Sequence, residues 1–251
     1  MINNMKDIIF GIHSVISILK KNPFCLKKIF ILNSKKKSNR IKELFLYINK
    51  YNINIDKVSK KWLDQKTNNS IHQGIMGIIN ISKSFKEKDI YKIINKSKKI
   101  FILILDRLTD THNLGACIRS AVAFGVNMII LPKKYSVKIN AIVKKISCGT
   151  SEYIPIIFVK NLINIINFFK SNKIYIIGAD NNKKSNIIYD NKLKYPICLI
   201  IGSEDKGIRP IIKKNCNLLF SIPMFNNLNS LNVSVATGIC LFEITRQNNI
   251  F

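Results

Sequence analysis

From Lys99 onward the chain carries short runs of uninterrupted apolar residues, among them Ile100–Leu105, Asn127–Leu131, Tyr153–Phe158, Ile174–Gly178, Ile197–Ile201 and Leu218–Ile222. A strand that is apolar on both faces cannot sit at a half-solvated surface, so these runs call for a sheet covered on both sides. Between them lie helical patterns over Leu114–Phe124, Ile139–Cys148, Leu162–Lys170, Pro210–Lys214 and Leu231–Arg246. Strands alternating with helices predict a largely parallel α/β sheet. On the last helix the face of Val235, Ile239 and Phe242 reads as core and is assigned no chemistry.

The first 81 residues read as a separate, smaller α/β unit. Val15, Ile18 and Leu19 recur at helical spacing within Gly11–Leu19, and Ile41, Leu44, Phe45 and Ile48 do so further on. Ile29–Leu32 suits a buried strand, while Ile53–Val58 and Gly74–Ile81 alternate as half-buried strands do. Residues 82–98 are polar and lysine-rich with one short helical patch, the composition of a linker. The expected organisation is a small α/β unit over 1–81, a linker over 82–98 and a larger domain over 99–251.

Charge narrows the partners. The chain has 41 Lys+Arg against 14 Asp+Glu, a formal net charge of +27, and nucleic acid is the natural polyanion for such a surface. Lys, Ile and Asn make up 117 of the 251 residues, so part of the excess reflects A/T-rich codon usage. With 47% hydrophobic residues the chain is no disordered basic tail. No signal peptide and no transmembrane run is read from the sequence, and a cytoplasmic protein without a membrane partner is expected. The six cysteines form no C-x-x-C pair, and with three histidines they give no zinc-ligand spacing.

No G-x-G-x-x-G follows a strand, and Gly202–Gly207 has the glycine spacing of a phosphate loop but continues Ile208-Arg209 instead of Lys-Ser/Thr. Three segments stand out instead. In the first, a strand ends at Asp106 and Asn113 is placed to cap the helix that carries Gly115 and Arg119. Arg119 is one of five arginines in a lysine-biased chain, which singles out its planar fork. The second, Leu199–Ile208, sets a glycine-flanked loop with Glu204 at a strand's carboxyl end, where open α/β sheets bind ligands. The third runs from Ser221-Ile-Pro-Met224 through an Asn-rich loop into a helix expected to begin near Ser230, with Asn232 as a side-chain donor and acceptor. Pattern alone leaves a capped helix with a surface arginine, and a plain solvent turn, as equal readings of the first two.

Together the three segments resemble the motifs of the SpoU branch of the SPOUT RNA ribose 2′-O-methyltransferases. These are N-x-G-x-x-x-R-S at Asn113–Ser120, I-G-x-E-x-x-G around Gly202, Glu204 and Gly207, and I-P-M…S-L-N-V-S-V-A over Ile222–Ala236. F-G-I-H-S-V near residue 10 and H-Q-G-I near residue 72 resemble the RNA-binding domain of the RlmB subgroup, whose members methylate a guanosine ribose in the peptidyl-transferase region of bacterial 23S ribosomal RNA. The related tRNA enzyme TrmH lacks this domain. The resemblance implies an N-terminal RNA-binding domain, a C-terminal α/β domain tied in a trefoil knot, a homodimer, and 23S rRNA or an assembling large ribosomal subunit as partner. It implies S-adenosylmethionine as cofactor, at Gly202, Ile222, Met224 and Leu231. Arg119 becomes the candidate base or alkoxide stabiliser, with Asn113, Glu204, Ser230 and Asn232 around it, and no metal is expected. Thr111 replaces the proline usual in the first motif, and Arg209 after the second motif agrees with the ribosomal subgroup. Two other readings are a tRNA methyltransferase of the same family and an inactive RNA-binding assembly factor. A nucleotide-dependent oxidoreductase lacks its glycine fingerprint.

Overall fold

The computed structural model describes residues 8–21, 23, 26–33, 39–79, 85–95, 99–152, 154–180, 186–225 and 230–248. Two compact units emerge, one from residues 1–83 with Ile139–Tyr153, the other from Ser84–Lys138 with Ile154–Phe251.

The first unit contains β1 (Ile8–Phe10), α1 (Ile12–Lys21), β2 (Leu26–Leu32), α2 (Asn39–Tyr51), β3 (Asn54–Val58), α3 (Lys60–Lys66) and β4 (Ile75–Ile79). Its sheet has the order β1-β4-β2-β3, antiparallel except for β2 with β3. Ile9, Val15, Leu19, Ile29, Leu44 and Ile75 fill one core, and Phe10, Phe30, Leu63 and Met76 fill a second. The alternation of β1, Ile9 to one core and Ile8 and Phe10 to the other, is the period-two pattern of a sheet covered on both faces.

The two N-terminal motifs prove to be one device. Gly11 N–H donates to the Ile75 carbonyl (3.1 Å), and Ile12 N–H donates to Gln73 Oε1 (3.1 Å). His72 Nδ1 accepts from Gly74 N–H (2.9 Å), which leaves Nε2 to donate to Asp64 Oδ1 (2.8 Å). Gly11 and Gly74 have φ of +92° and +70°, conformations that favour glycine. The F-G-I-H and H-Q-G-I runs therefore hold β1 against β4.

The second unit contains α4 (Asp89–Ile94), β5 (Phe101–Leu105), α5 (Thr111–Ala123), β6 (Met128–Pro132), β7 (Ile156–Val159), α7 (Leu162–Ser171), β8 (Tyr175–Ala179), β9 (Asn186–Ile187), β10 (Ile197–Ile201), α8 (Pro210–Lys213), β11 (Leu218–Ser221) and α9 (Val233–Gln247). The intervening α6 (Ala141–Ile146) goes with the first unit. The sheet runs β7-β6-β5-β10-β8-β11-β9, parallel in every pairing, as the apolar runs predict. All five residues of β5, β6 and β10 are buried.

The division departs from the expected one in two places. Ile139–Tyr153 packs with the N-terminal unit, because Gly149 lies against Ser14 and Ile18 and α6 against β1. Within the tract read as a linker, α4 buries Ile90 and Ile94 in the core of the second unit, so two apolar residues outweigh a polar composition. Residues 80–84, where the first boundary was placed, and 96–98 lie outside the described residues, as do Cys25, Tyr153 and Asn226–Asn229.

The last helix corrects a further expectation. Val235, Ile239 and Phe242 are 50%, 38% and 50% exposed, and the buried face is Val233, Thr237, Cys240, Leu241 and Ile244. The helix has two apolar faces, and periodicity does not say which one packs against α5.

Candidate active site

Three loops leave the carboxyl ends of the central strands. After β5, Asp110 caps α5 by accepting from the backbone N–H of Asn113 (2.7 Å). This N–H holds its carboxyl below the usual carboxylate range. The cap is thus Asp110 and not Asn113, which lies within the first turn, its side chain free to turn elsewhere. It donates through Nδ2 to Glu204 Oε1 (2.8 Å).

Glu204 comes from the loop after β10. Ser203 and Gly207 exchange backbone hydrogen bonds across that loop, at 2.9 and 3.3 Å. A Cβ on Gly202 would sit 2.0 Å from the carbonyl carbon of Gly207, and Gly207 itself has a φ of +61°. Glycine is needed at both ends for the loop to fold back on itself. At its base Asp106, whose side chain is fully buried, grips Arg209. Arg209 Nη2 donates to Oδ1 (2.8 Å) and Nε reaches Oδ2 (2.9 Å) and Oδ1 (3.0 Å).

Asn232 completes the cluster from the third segment. Its Nδ2 donates to Glu204 Oε1 (2.8 Å) and to Asn113 Oδ1 (3.0 Å), while its Oδ1 caps α9 by accepting from Ser234 N–H (2.9 Å) and the Ser234 hydroxyl (2.6 Å). The helix therefore starts at Val233, and Ser230 and Leu231 lie before it instead of in its first turn. Asn113, Glu204 and Asn232, far apart in the chain, form one hydrogen-bonded knot of side chains.

Beside them opens a cavity of about 510 Å³, a size suited to a nucleoside-sized ligand. Gly202, Ile222, Met224 and Leu231 all line it, and so do Glu204 and Ser230. Its apolar wall adds Ile201, Phe220, Val233 and Ala236, and its polar side holds Asp180, whose Oδ1 accepts from Lys213 Nζ at 2.7 Å. Sequence reading passed over Asp180, although its place directly after β8 at the ligand-bearing edge was a usable signal. Apolar walls with a few carboxylates fit a ligand that joins an aromatic nucleoside to a sulfonium cation.

Arg119 is not part of this cluster. It follows Asn113 by six residues, about 120° away around α5, is exposed, and makes no hydrogen bond or ion pair among the described residues. Cys117 is buried between α5 and α9, donates to Thr237 Oγ1 (3.5 Å), and is pushed up to about 11 by that burial, so it is a packing residue and no nucleophile. No group of three or more metal-ligating side chains occurs among the described residues, and no described helix is long and apolar enough to cross a membrane.

Residues 100–242 match the SpoU rRNA Methylase family, and residues 8–85 match the RNA 2′-O ribose methyltransferase substrate-binding family. The chain belongs to the SpoU methylase family. It is 38% identical over 243 residues to the 23S rRNA (guanosine-2′-O-)-methyltransferase RlmB of Pectobacterium atrosepticum, covering 97% of this chain and 99% of that one. Among solved structures, the SpoU methyltransferase AviRb of Streptomyces viridochromogenes, in complex with AdoMet, shares the fold with a TM-score of 0.77 at 19% identity, over 97% of this chain and 90% of that one. The TrmH/SpoU tRNA modifying enzyme of A. aeolicus is 31% identical, but covers 64% of this chain and 81% of its own, with a TM-score of 0.55.

Proposed function

We propose that this chain transfers a methyl group from S-adenosylmethionine to the ribose 2′-hydroxyl of a guanosine in the peptidyl-transferase region of 23S ribosomal RNA. The observation that carries the reading is the meeting of Asn113, Glu204 and Asn232 beside a cofactor-sized cavity, in a chain that matches a 23S rRNA methyltransferase end to end. The RlmB relative covers 97% of this chain against 64% for the tRNA enzyme, which favours ribosomal over transfer RNA.

The cofactor supplies an electrophilic methyl group on a sulfonium. The protein's task is to align the acceptor oxygen and to manage its proton. Gly202, Ile222, Met224 and Leu231 hold the cofactor, mostly through backbone and apolar surface. Glu204 fixes the amides of Asn113 and Asn232, which orient the ribose with Ser230 beside them. Arg119 has no hydrogen-bond or ion-pair partner among the described residues and takes the substrate phosphate, where its fork stabilises the developing alkoxide. A guanidinium, with a pKa above about 12, suits that role better than general base.

The remaining parts of the proposal concern assembly. The exposed stripe of Val235, Ile239 and Phe242 on α9 supports a homodimer in which a second copy covers it. The match to the SpoU methylase family supports a trefoil knot in the second unit. The 23S rRNA-modifying relatives support the cytoplasm as the site of action.

Purified protein, radiolabelled S-adenosylmethionine and three RNAs test the reading: unmodified 23S rRNA, unmodified tRNA and a duplex control. Label is expected only in 23S rRNA, at a 2′-O-methylguanosine, and is expected to be lost in Arg119→Ala. Label in tRNA alone overturns the substrate. Cofactor binding without transfer to RNA or ribosomal precursor leaves an assembly factor in place of an enzyme.

A further inference from the structure

A second feature at the same edge of the sheet lies outside the cluster. Arg107 follows the end of β5 and Tyr135 follows the end of the neighbouring β6. The two loops are joined where Val137 N–H donates to the Leu108 carbonyl at 2.9 Å. The guanidinium carbon of Arg107 lies 4.7 Å from the centre of the Tyr135 ring. Tyr135 is nevertheless 68% exposed, so with one face against the guanidinium its open surface is the other face and the rim.

Both residues adopt left-handed backbone, φ +62° at Arg107 and +61° at Tyr135. Neither an arginine nor a tyrosine is suited to that region, and glycine at either place would be less strained. Strain of this kind concentrates at ligand clamps and binding sites. Two polar atoms at the site, Arg107 Nε and Ser136 Oγ, are buried without a partner among the described residues, which leaves hydrogen-bonding capacity unspent.

The charge around the ring points to the ligand. Lys133, Lys134 and Lys138 are exposed on the Tyr135 loop. The nearby acids are engaged: Asp106 by Arg209, and Asp110 by the start of α5 with His112 at 3.6 Å. A rigid aromatic face backed by a guanidinium and flanked by free cations matches an unpaired nucleobase with its phosphates.

We propose that Arg107 and Tyr135 form a nucleobase-stacking subsite that takes an unpaired base of the RNA strand next to the target nucleotide. The proposal rests on the RNA-methyltransferase reading and adds how the strand is gripped. The loop from Arg107 to Asp110 leads directly into the helix that carries Asn113, so a base stacked on Tyr135 would set the register of the strand at the cavity. Stacking is tolerant of base identity, so the subsite recognises that a base is unpaired more than which base it is.

The test uses fluorescence anisotropy with a single-stranded loop RNA from the peptidyl-transferase region and a duplex of equal length, on the full chain. Tyr135→Ala is expected to weaken loop-RNA binding about tenfold, with duplex binding within about twofold. Tyr135→Phe keeps the ring and should restore affinity to within about threefold of the wild type. In methyl transfer Tyr135→Ala should raise KM for RNA about tenfold with little change in kcat, while calorimetric binding of S-adenosylmethionine stays unchanged. Tyr135→Gly should bind RNA as weakly as Tyr135→Ala yet melt higher, because the strain is relieved.

Loop-RNA affinity unchanged in Tyr135→Ala overturns the subsite, as does an equal loss in Tyr135→Phe or an equal fall for duplex. A wild-type protein that binds loop RNA through Tyr135 but transfers no methyl group keeps the subsite and removes the enzymatic reading. Methyl transfer by Tyr135→Ala with unchanged KM does the reverse.

Discussion

Asp106→Ala should be among the most costly single changes in the second unit. The Asp106 side chain has no exposed surface, and it carries three charge-assisted contacts from Arg209 between 2.8 and 3.0 Å. Removing one partner of a buried pair costs about 3–5 kcal/mol, because the other charge is left without compensation. Arg209 is 29% exposed and can recover part of its hydration, so the lower end, about 3 kcal/mol, applies to Asp106→Ala. For a chain of this size that corresponds to a fall in Tm of about 6–12 °C. Arg209→Ala should cost more, since the orphan it leaves is the fully buried carboxylate. The pair also anchors the loop that begins at Gly202, so S-adenosylmethionine should bind several-fold more weakly to either variant. Calorimetric melting with and without the cofactor measures both effects. A Tm loss under about 2 °C for Asp106→Ala, or a milder effect of Arg209→Ala, would refute the reasoning.

Asn232 has two separable tasks, and Asn232→Asp divides them. The carboxylate still accepts from Ser234 N–H and caps α9, but it loses the donor to Asn113 and Glu204 and sets a like charge against Glu204. Methyl transfer should fall roughly 10²-fold with the Tm nearly unchanged, whereas Asn232→Ala should also lose about 1 kcal/mol of stability. Gly202→Ala should raise the Kd for S-adenosylmethionine at least tenfold, about 1.4 kcal/mol, because the added Cβ meets the backbone of Gly207 at 2.0 Å; titration calorimetry reads it. Asp110→Ala should cost about 1 kcal/mol near neutral pH. Its carboxyl is held low in the folded state, so the stabilisation is complete above the unfolded value near 3.9 and is lost as pH falls through the lower folded value. The difference in urea midpoint between wild type and Asp110→Ala should therefore shrink below about pH 4.

The second unit was legible because a parallel sheet leaves a strong trace. β5 and β10 are unbroken aliphatic runs, and only burial on both faces makes such runs favourable. What periodicity could not supply was orientation. The stripe of Val235, Ile239 and Phe242 is as apolar as the buried face of α9, and periodicity alone does not say which of two apolar faces is buried. The same lack explains the linker: Ile90 and Ile94 look incidental among lysines until the core they enter is known. β1 and α3 went unread because Ile8, Ile9 and Phe10, buried on both faces, show no polar alternation, and α3 buries only Leu63.

At the site, the residue types were legible and their partners were not. Asn113 looked like a helix cap because asparagine before an apolar helix commonly is one. The structure gives that work to Asp110, three residues earlier, which is what releases the Asn113 amide for Glu204. The same logic runs through Asn232, whose oxygen caps α9 while its nitrogen bridges Glu204 and Asn113. Each asparagine is thus fixed by a helix terminus and directed by a carboxylate, so one side-chain network sets both where the helices begin and which way the amides face. An arginine in the network would be neutralised by Glu204. Arg119 lies about a third of a turn away around α5, exposed and outside the network, so the proposed phosphate contact does not compete with the carboxylate that orders the two amides.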